Sequence, residues 1–322
     1  VYFNEDVYVG WVQRGRVIEL AAVDPQLGAT FYTLPQQHSQ RPRIQRDRHG
    51  ECLACHATAR TEKVPGFLVR SVFVRPDGLP DLSLGSTTTD HKTPFAERYG
   101  GWYVTGKHGE MAHRGNALLR GQALDKTGCA NRTDLPGNVD ADAYLEPTSD
   151  IVALMLLEHQ SQMHNLITKA GYTAQRADYQ QTLMNRILER PAEYRSESYQ
   201  RRIQRVAQEL VEYVFFCGEF QLTAPVQGNS EFVTAFQSDA VRDPQGRSLK
   251  DLDLQRRLLS FPCSYLVYSP SFLALPPPVL DEIRKQMNAV LQGEQSSDCF
   301  AHLDPAIRQA IAEILAETHP LF

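Results

Sequence analysis

The sequence predicts an α+β protein, with a β-rich N-terminal part followed by an α-helical C-terminal part. Three observations carry this. Short alternating, β-branched segments fill the first hundred residues, turn residues crowd 121–147, and apolar residues at helical spacing recur from 151 onward. The expected division is 1–147 and 148–322, packed as one integrated unit.

The elements follow in order. Asp6-Val7-Tyr8-Val9-Gly10-Trp11-Val12 alternates as a strand does. Arg14-Gly15 makes a hairpin turn into a second strand over 16–23, and Thr30-Phe31-Tyr32-Thr33-Leu34 is a third before Pro35. Residues 36–47 are polar and irregular. A strand is expected over 67–74, then a turn at Pro76-Asp77-Gly78, then a short strand over 100–106 bounded by glycines. The turn-rich stretch 121–147 reads as a long connection.

Ser149-Asp150 caps a helix expected to stop at Gly171, after Ala170. Further helices are expected from about 175 to Pro191, over 196–216, from the Asn229-Ser230 cap through Ala240, and over 247–260. Segments 276–292 and 304–318 each begin beside Pro, which suits a first helical turn. No repeat of solenoid length is present.

Composition bounds the function. The chain has 322 residues, 42% apolar and 22% charged, with net charge −5. That is ordinary for a globular protein and argues against a nucleic-acid partner. Arg41, Arg43, Arg46 and Arg48 form a local basic run. It reads as a solvated loop, or as a cluster for carboxylates such as those of a porphyrin. No stretch approaches the ~18 apolar residues of a membrane span, the longest run being 151–157. Val1-Tyr2-Phe3 is no signal peptide and no initiator Met is present, so a mature or trimmed form is expected.

Cys52-Leu53-Ala54-Cys55-His56 is C-x-x-C-H. Two thiols one helical turn apart add across the two vinyl groups of haem, and the adjacent His binds iron from the proximal face. The competing readings are a thioredoxin-like pair, which needs a βαβ setting, and a zinc site, which needs a second ligand pair. Neither accompaniment is found. One covalent haem c is therefore the expected cofactor, held by Cys52, Cys55 and His56, with Arg46 and His49 near its propionates. Such a haem implies an exported, periplasmic or extracellular protein. Four further cysteines, Cys129, Cys217, Cys263 and Cys299, allow three pairings. The apolar settings of Cys217 and Cys263 favour that bridge.

The second axial position decides between electron transfer and ligand chemistry. Two regions compete for it. One is a glycine-rich loop over 106–116 that carries His108, Met111 and His113. The other is the helix in which Val152, Leu156, His159, Met163 and Leu166 share a stripe, with Glu158 and Gln162 on the next. His159 and Met163 suit iron, or copper through soft ligands. They equally suit a core histidine with Met as filler. His38 and His91 fall in polar loops, and His302 and His319 read as structural.

His49-Gly50-Glu51-Cys52-Leu53-Ala54-Cys55-His56, the Gly100-Gly101-Trp102-Tyr103-Val104-Thr105-Gly106-Lys107-His108-Gly109 segment and Leu157-Glu158-His159-Gln160-Ser161-Gln162-Met163-His164-Asn165 resemble exported bacterial monohaem c-type cytochrome proteins. The resemblance covers most of the chain. It implies export, haem, and that the two histidine segments belong to one site. It supplies no reaction. The small class I cytochromes c fit less well, because Val64-Pro65-Gly66 stops any helix soon after the motif. The function expected is electron transfer with a redox protein partner, possible within a larger complex. The rival is a haem enzyme of peroxidase or oxygenase type, with His108 or His113 as acid–base group beside Arg114.

Overall fold

The computed structural model describes residues 1–36, 43–75, 79–120, 123–135, 137, 139–295 and 297–322. In chain order the strands are β1 (Tyr2–Phe3), β2 (Val7–Trp11), β3 (Val17–Asp24), β4 (Gly28–Pro35), β5 (Gln45–Arg46), β6 (Arg70–Val72), β7 (Ser86–Thr88), β8 (Leu118–Arg120) and β9 (Ala123–Asp125). The helices are α1 (Leu53–His56), α2 (Ile151–Ile187), α3 (Glu197–Val214), α4 (Ser230–Ser238), α5 (Pro270–Leu273), α6 (Pro277–Leu291) and α7 (Pro305–Thr318). Strands thus dominate the first part and helices the second, an α+β protein.

The chain divides into two compact units that do not follow the 147/148 division. One comprises Val1–Phe67, Gln162–Cys217 and Cys263–Phe322, and the other Leu68–Ser161 and Gly218–Pro262. We call them the first and second unit.

In the first unit, β1 to β5 form an antiparallel meander in sequence order. Trp11 faces Ile18 across one hairpin, Asp24 faces Gly28 across the next, and Tyr32 faces Arg46 at the edge. The turn at Arg14-Gly15 forms as expected, with Arg14 at φ 62° and the Gly15 N–H donating to the Val12 carbonyl. Helix α3 is amphipathic: Tyr199, Ile203, Val206, Leu210 and Val214 are buried at helical spacing, and Ser196 caps it by accepting from the Tyr199 N–H. It packs on α6, which buries Val279, Ile283, Met287 and Val290, and α6 packs on α7. Each such side chain contributes roughly 1.5–3 kcal/mol by leaving water.

The bridge joins Cys217 to Cys299, across 82 residues, and not to Cys263. Cys263 is a fully buried free thiol and Cys129 a half-buried one. Apolar neighbours signalled the burial of Cys263 but not its pairing. Phe300 packs edge-on against Phe215, and His302 bonds the Phe215 carbonyl at 2.7 Å, which brings Cys299 to Cys217.

In the second unit, β6 pairs with β7 and β8 with β9. Three expectations are corrected. The 67–74 strand shrinks to β6, and the 100–106 strand is absent. Only isolated bridges form at Thr105, Gly106 and Lys107, because Gly101, at φ +81°, turns the chain hard against the Val72 carbonyl. The 247–260 helix is absent too. There the Asp243, Asp251 and Asp253 carboxylates accept backbone N–H groups from Arg247, Ser248, Gln255 and Arg256, which offers the backbone a partner other than its own helix. The turn expected at 76–78, His38 and Arg41 lie outside the described residues.

Helix α2 is one element of 37 residues, not two. Asp150 starts it by accepting from the Ala153 N–H at 2.9 Å. Gly171 does not stop it, and Pro191 follows its end. Residues 151–161 belong to the second unit and the remainder to the first. No described helix is long and apolar enough to cross a membrane.

Candidate functional site

The Cys52–His56 motif of the first unit is built on one carboxylate. Asp47 accepts from the N–H groups of His49, Gly50 and Glu51 with Oδ1, and from Cys52 with Oδ2 at 2.9 Å. These bonds, the Cys52 bond first, hold its carboxyl below the usual range. They start the single turn α1, closed by the His56 N–H on the Cys52 carbonyl at 2.9 Å. Both thiols are free, Cys52 half-buried and Cys55 exposed.

Past His56 the chain reverses through a turn at Ala59–Thr61, where Glu62 and Lys63 take φ of 58° and 61°. The reversal returns Gly66 to His56. The Gly66 N–H donates to the His56 carbonyl at 2.8 Å, and His56 Nδ1 lies 3.0 Å from the Gly66 carbonyl. A carbonyl only accepts, so Nδ1 carries the proton and Nε2 keeps its lone pair. Phe31 of β4 packs against the imidazole, ring centres 4.7 Å apart. Buried Asn165 of α2 clasps Phe67, accepting from its N–H at 2.8 Å and donating to its carbonyl at 2.9 Å. Gly66 is required beside it, since a Cβ there would collide with the Asn165 amide.

Two features of this arrangement bear on the C-x-x-C motif. A reactive redox pair lowers the pKa of its first thiol. Here burial, with Asp47 and neighbouring carboxylates, pushes Cys52 up to about 11. An imidazole with Nδ1–H fixed on a backbone carbonyl and Nε2 left basic is instead the form a metal-ligating histidine takes. The donor set therefore fits haem c. Arg46 and His49 are both exposed near the motif in sequence.

In the second unit the 106–116 loop exposes Lys107, Glu110 and Ala112 but turns its histidines and methionine inward. His108, Met111 and His113 are 2%, 7% and 5% exposed. Asn131 accepts from the His108 N–H and donates to the Gly109 carbonyl, and Asn116 exchanges two bonds with Val104. The two imidazoles are 4.6 Å apart, and Phe95 lies about 6 Å from each. Their tautomers differ. His108 Nδ1 donates to the Met111 carbonyl at 2.6 Å, leaving Nε2 an unprotonated base. His113 Nδ1 accepts from the Gly115 N–H at 2.9 Å, so its Nε2 carries the hydrogen. Neither Nε2 has a hydrogen-bond partner among the described residues. Burial lowers the pKa of both, His113 to about 4 with His108 adding to the effect.

His159 is fully buried, as is Met163 one turn on. Its Nδ1 lies 2.9 Å from Nδ1 of His91, so one ring donates and the other accepts. His91, which reads from sequence as a polar-loop residue, is thus a buried partner. Glu158 beside them is paired with Arg98 at 3.1 Å, both within the interior. Arg98 also donates to the carbonyls of Thr93 and His91. Burial still pushes Glu158 up to about 7, against the pull of Arg98. His302 and His319 bond the carbonyls of Phe215 and Val267, the structural role expected of them.

Sequence reasoning missed Asp47, Gly66, Asn165 and His91. An Asp five residues before the motif and a Gly ten after it are the only local signals. Among the described residues no three His, Cys, Asp or Glu side chains gather as a metal-ion site. Comparison with family models, with curated proteins and with solved structures finds no match to this chain.

Proposed function

We propose that this chain is an exported monohaem c-type redox protein working in electron transfer. The observation that carries the reading is the pairing of Cys52 and Cys55 on one helical turn with a His56 held Nε2-basic by Gly66. Cys52 and Cys55 would each add S–H across a vinyl group, and His56 Nε2 would ligate the iron. Haem c, when bound, supplies a one-electron iron couple. The chain's own part is to orient: Asp47 fixes the turn that presents both sulfurs, and Gly66 fixes the imidazole tautomer and angle. The Cys217–Cys299 bridge supports an oxidising compartment. The net charge of −5 supports a redox partner of opposite sign, met faster at low salt.

The test is production in a bacterium that matures c-type haem proteins, followed by haem staining of the denatured chain. Wild type stains, and Cys52→Ala with Cys55→Ala does not. A wild-type chain that emerges colourless, or a double variant that keeps its stain, sinks the reading. Ferric and ferrous spectra then separate the roles. A low-spin spectrum unmoved by carbon monoxide belongs to an electron carrier, and a high-spin form that takes it up belongs to a haem enzyme.

A further inference from the structure

The reversal that follows His56 is gripped from α2, within the first unit. Glu62 and Lys63 take φ of 58° and 61°, a left-handed conformation that residues other than glycine keep only when their surroundings over-determine it. For Glu62 those surroundings are two side chains of α2. Gln162 donates from Nε2 to Glu62 Oε1 at 2.9 Å, and Lys169 donates from Nζ to Glu62 Oε2 at 2.8 Å. Lys169 also donates to Glu209 of α3 at 2.5 Å. Both oxygens of the Glu62 carboxylate are thus engaged.

Gln162, Asn165 and Lys169 stand at i, i+3 and i+7, which is one face of the helix. That face takes hold of the reversal twice, at the Glu62 side chain and, through Asn165, at the Phe67 backbone. Asn165 donates to Gln162 Oε1 at 3.3 Å, which joins the two grips. Between them lies Gly66, whose carbonyl keeps the proton on His56 Nδ1. Strand β4 adds a third hold, the Ala29 N–H donating to the Pro65 carbonyl at 3.0 Å. If the reversal relaxes at Glu62, the Gly66 carbonyl moves off Nδ1. The ring is then left to water, where neutral imidazole prefers its proton on Nε2, and that proton occupies the lone pair a metal needs.

We propose that Gln162 and Lys169 are positioning residues for His56. Acting through Glu62, they fix the reversal so that Gly66 keeps the Nδ1–H form and leaves the Nε2 lone pair for a ligated iron. The consequence at iron rests on the haem c reading, whereas the tautomer does not. With haem bound, the Nδ1–H bond to Gly66 makes Nε2 a stronger donor, which favours the ferric state and lowers the reduction potential.

The first measurement is NMR of the imidazole nitrogens in the full chain without haem, at alkaline pH, with His56 assigned by its loss in His56→Gln. Wild type is expected to show Nδ1–H. Lys169→Met with Gln162→Leu should shift His56 toward Nε2–H. Lys169→Arg, which can keep both ion pairs, should stay as wild type. Circular dichroism reports folding, and if the double variant is unfolded the single substitutions are read in its place. The second measurement is the midpoint potential of the haem-bearing protein. Loss of the Lys169 charge by itself lowers the potential, because a cation favours the more negative, reduced site. Loss of the His56 bond raises it. Lys169→Met is therefore expected to move the potential upward, against its charge, and the uncharged change Gln162→Leu should move it the same way. The proposal is overturned if wild-type His56 carries its proton on Nε2, or if the folded variants keep the wild-type tautomer, since Asn165 and β4 then suffice. It is equally overturned if Lys169→Met lowers the potential or leaves it unchanged. A wild type that takes up no covalent haem sinks the haem c reading, and the tautomer then decides the positioning. A chain that folds only with haem leaves the decision to the potential.

Discussion

At His164 the fold fixes a protonation state. Its Nε2 bonds the Glu5 carbonyl at 3.0 Å, so Nε2 carries the proton. Its Nδ1 is buried beside Tyr8 and Phe67 and has no hydrogen-bond partner among the described residues. A second proton would have no acceptor, and burial lowers the pKa to about 4. The unfolded chain binds that proton near 6.5, so between pH 4 and 6.5 the unfolded state holds more protons and stability rises with pH. Glu158 and Glu219, both raised to about 7 by burial, act in the other sense. Their contribution is present below 4.5 and is lost as pH rises through 7. Whole-protein stability therefore mixes opposed slopes, and a difference isolates one of them. Relative to His164→Phe, wild type is expected to hold its advantage at pH 7 and lose it progressively toward pH 4 in urea titrations. Parallel curves would show that His164 is protonated in the native state. At this scale the sequence displays a spacing, such as that of Cys52, Cys55 and His56, without any help from the fold. It was not readable where a partner arrives through the fold. His56 meets Gly66 ten residues away, and His159 meets His91 across 68.

Among the elements, α2 departs most from its sequence signals. Gly171 looks like a stop, yet it sits inside the helix with no positive φ. A stop needs a left-handed residue with freed carbonyls, and tertiary packing outweighs the propensity cost of one glycine. The space there is ordinary: an added Cβ would meet Leu275 Cδ2 at 3.6 Å. Gly171→Ala should therefore raise stability by up to about 1 kcal/mol, read as a higher thermal midpoint. A lower midpoint would mean that the helix needs its glycine for close packing. Helices α3, α6 and α7 were legible because Ser196, Pro277 and Asp304 with Pro305 mark their starts and their apolar spacing persists. The 247–260 stretch has comparable apolar content, but aspartates at 243, 251 and 253 take its N–H groups.

For the molecule as a whole, secondary-structure content misplaces the boundaries. A division at 147/148 follows the change from strand to helix, whereas each compact unit takes segments from both sides of it. Apolar periodicity reports which face of an element is buried, not which other segment buries it. The meander of β1–β5 lies in the same unit as α3, α6 and α7, more than a hundred residues later. Chains 1–147 and 148–322 made separately are expected to be unfolded by circular dichroism and rapidly proteolysed. A cooperative melt of either alone would show that it holds a complete core.

Cys217 and Cys299 also give the chain a topology that the backbone lacks. Their bond closes a covalent ring that contains all of 218–298, and the whole 218–262 segment of the second unit lies on that ring. A protease that cuts once anywhere on the ring opens it without releasing a fragment, so the nicked protein migrates as one species until a reductant parts it into two.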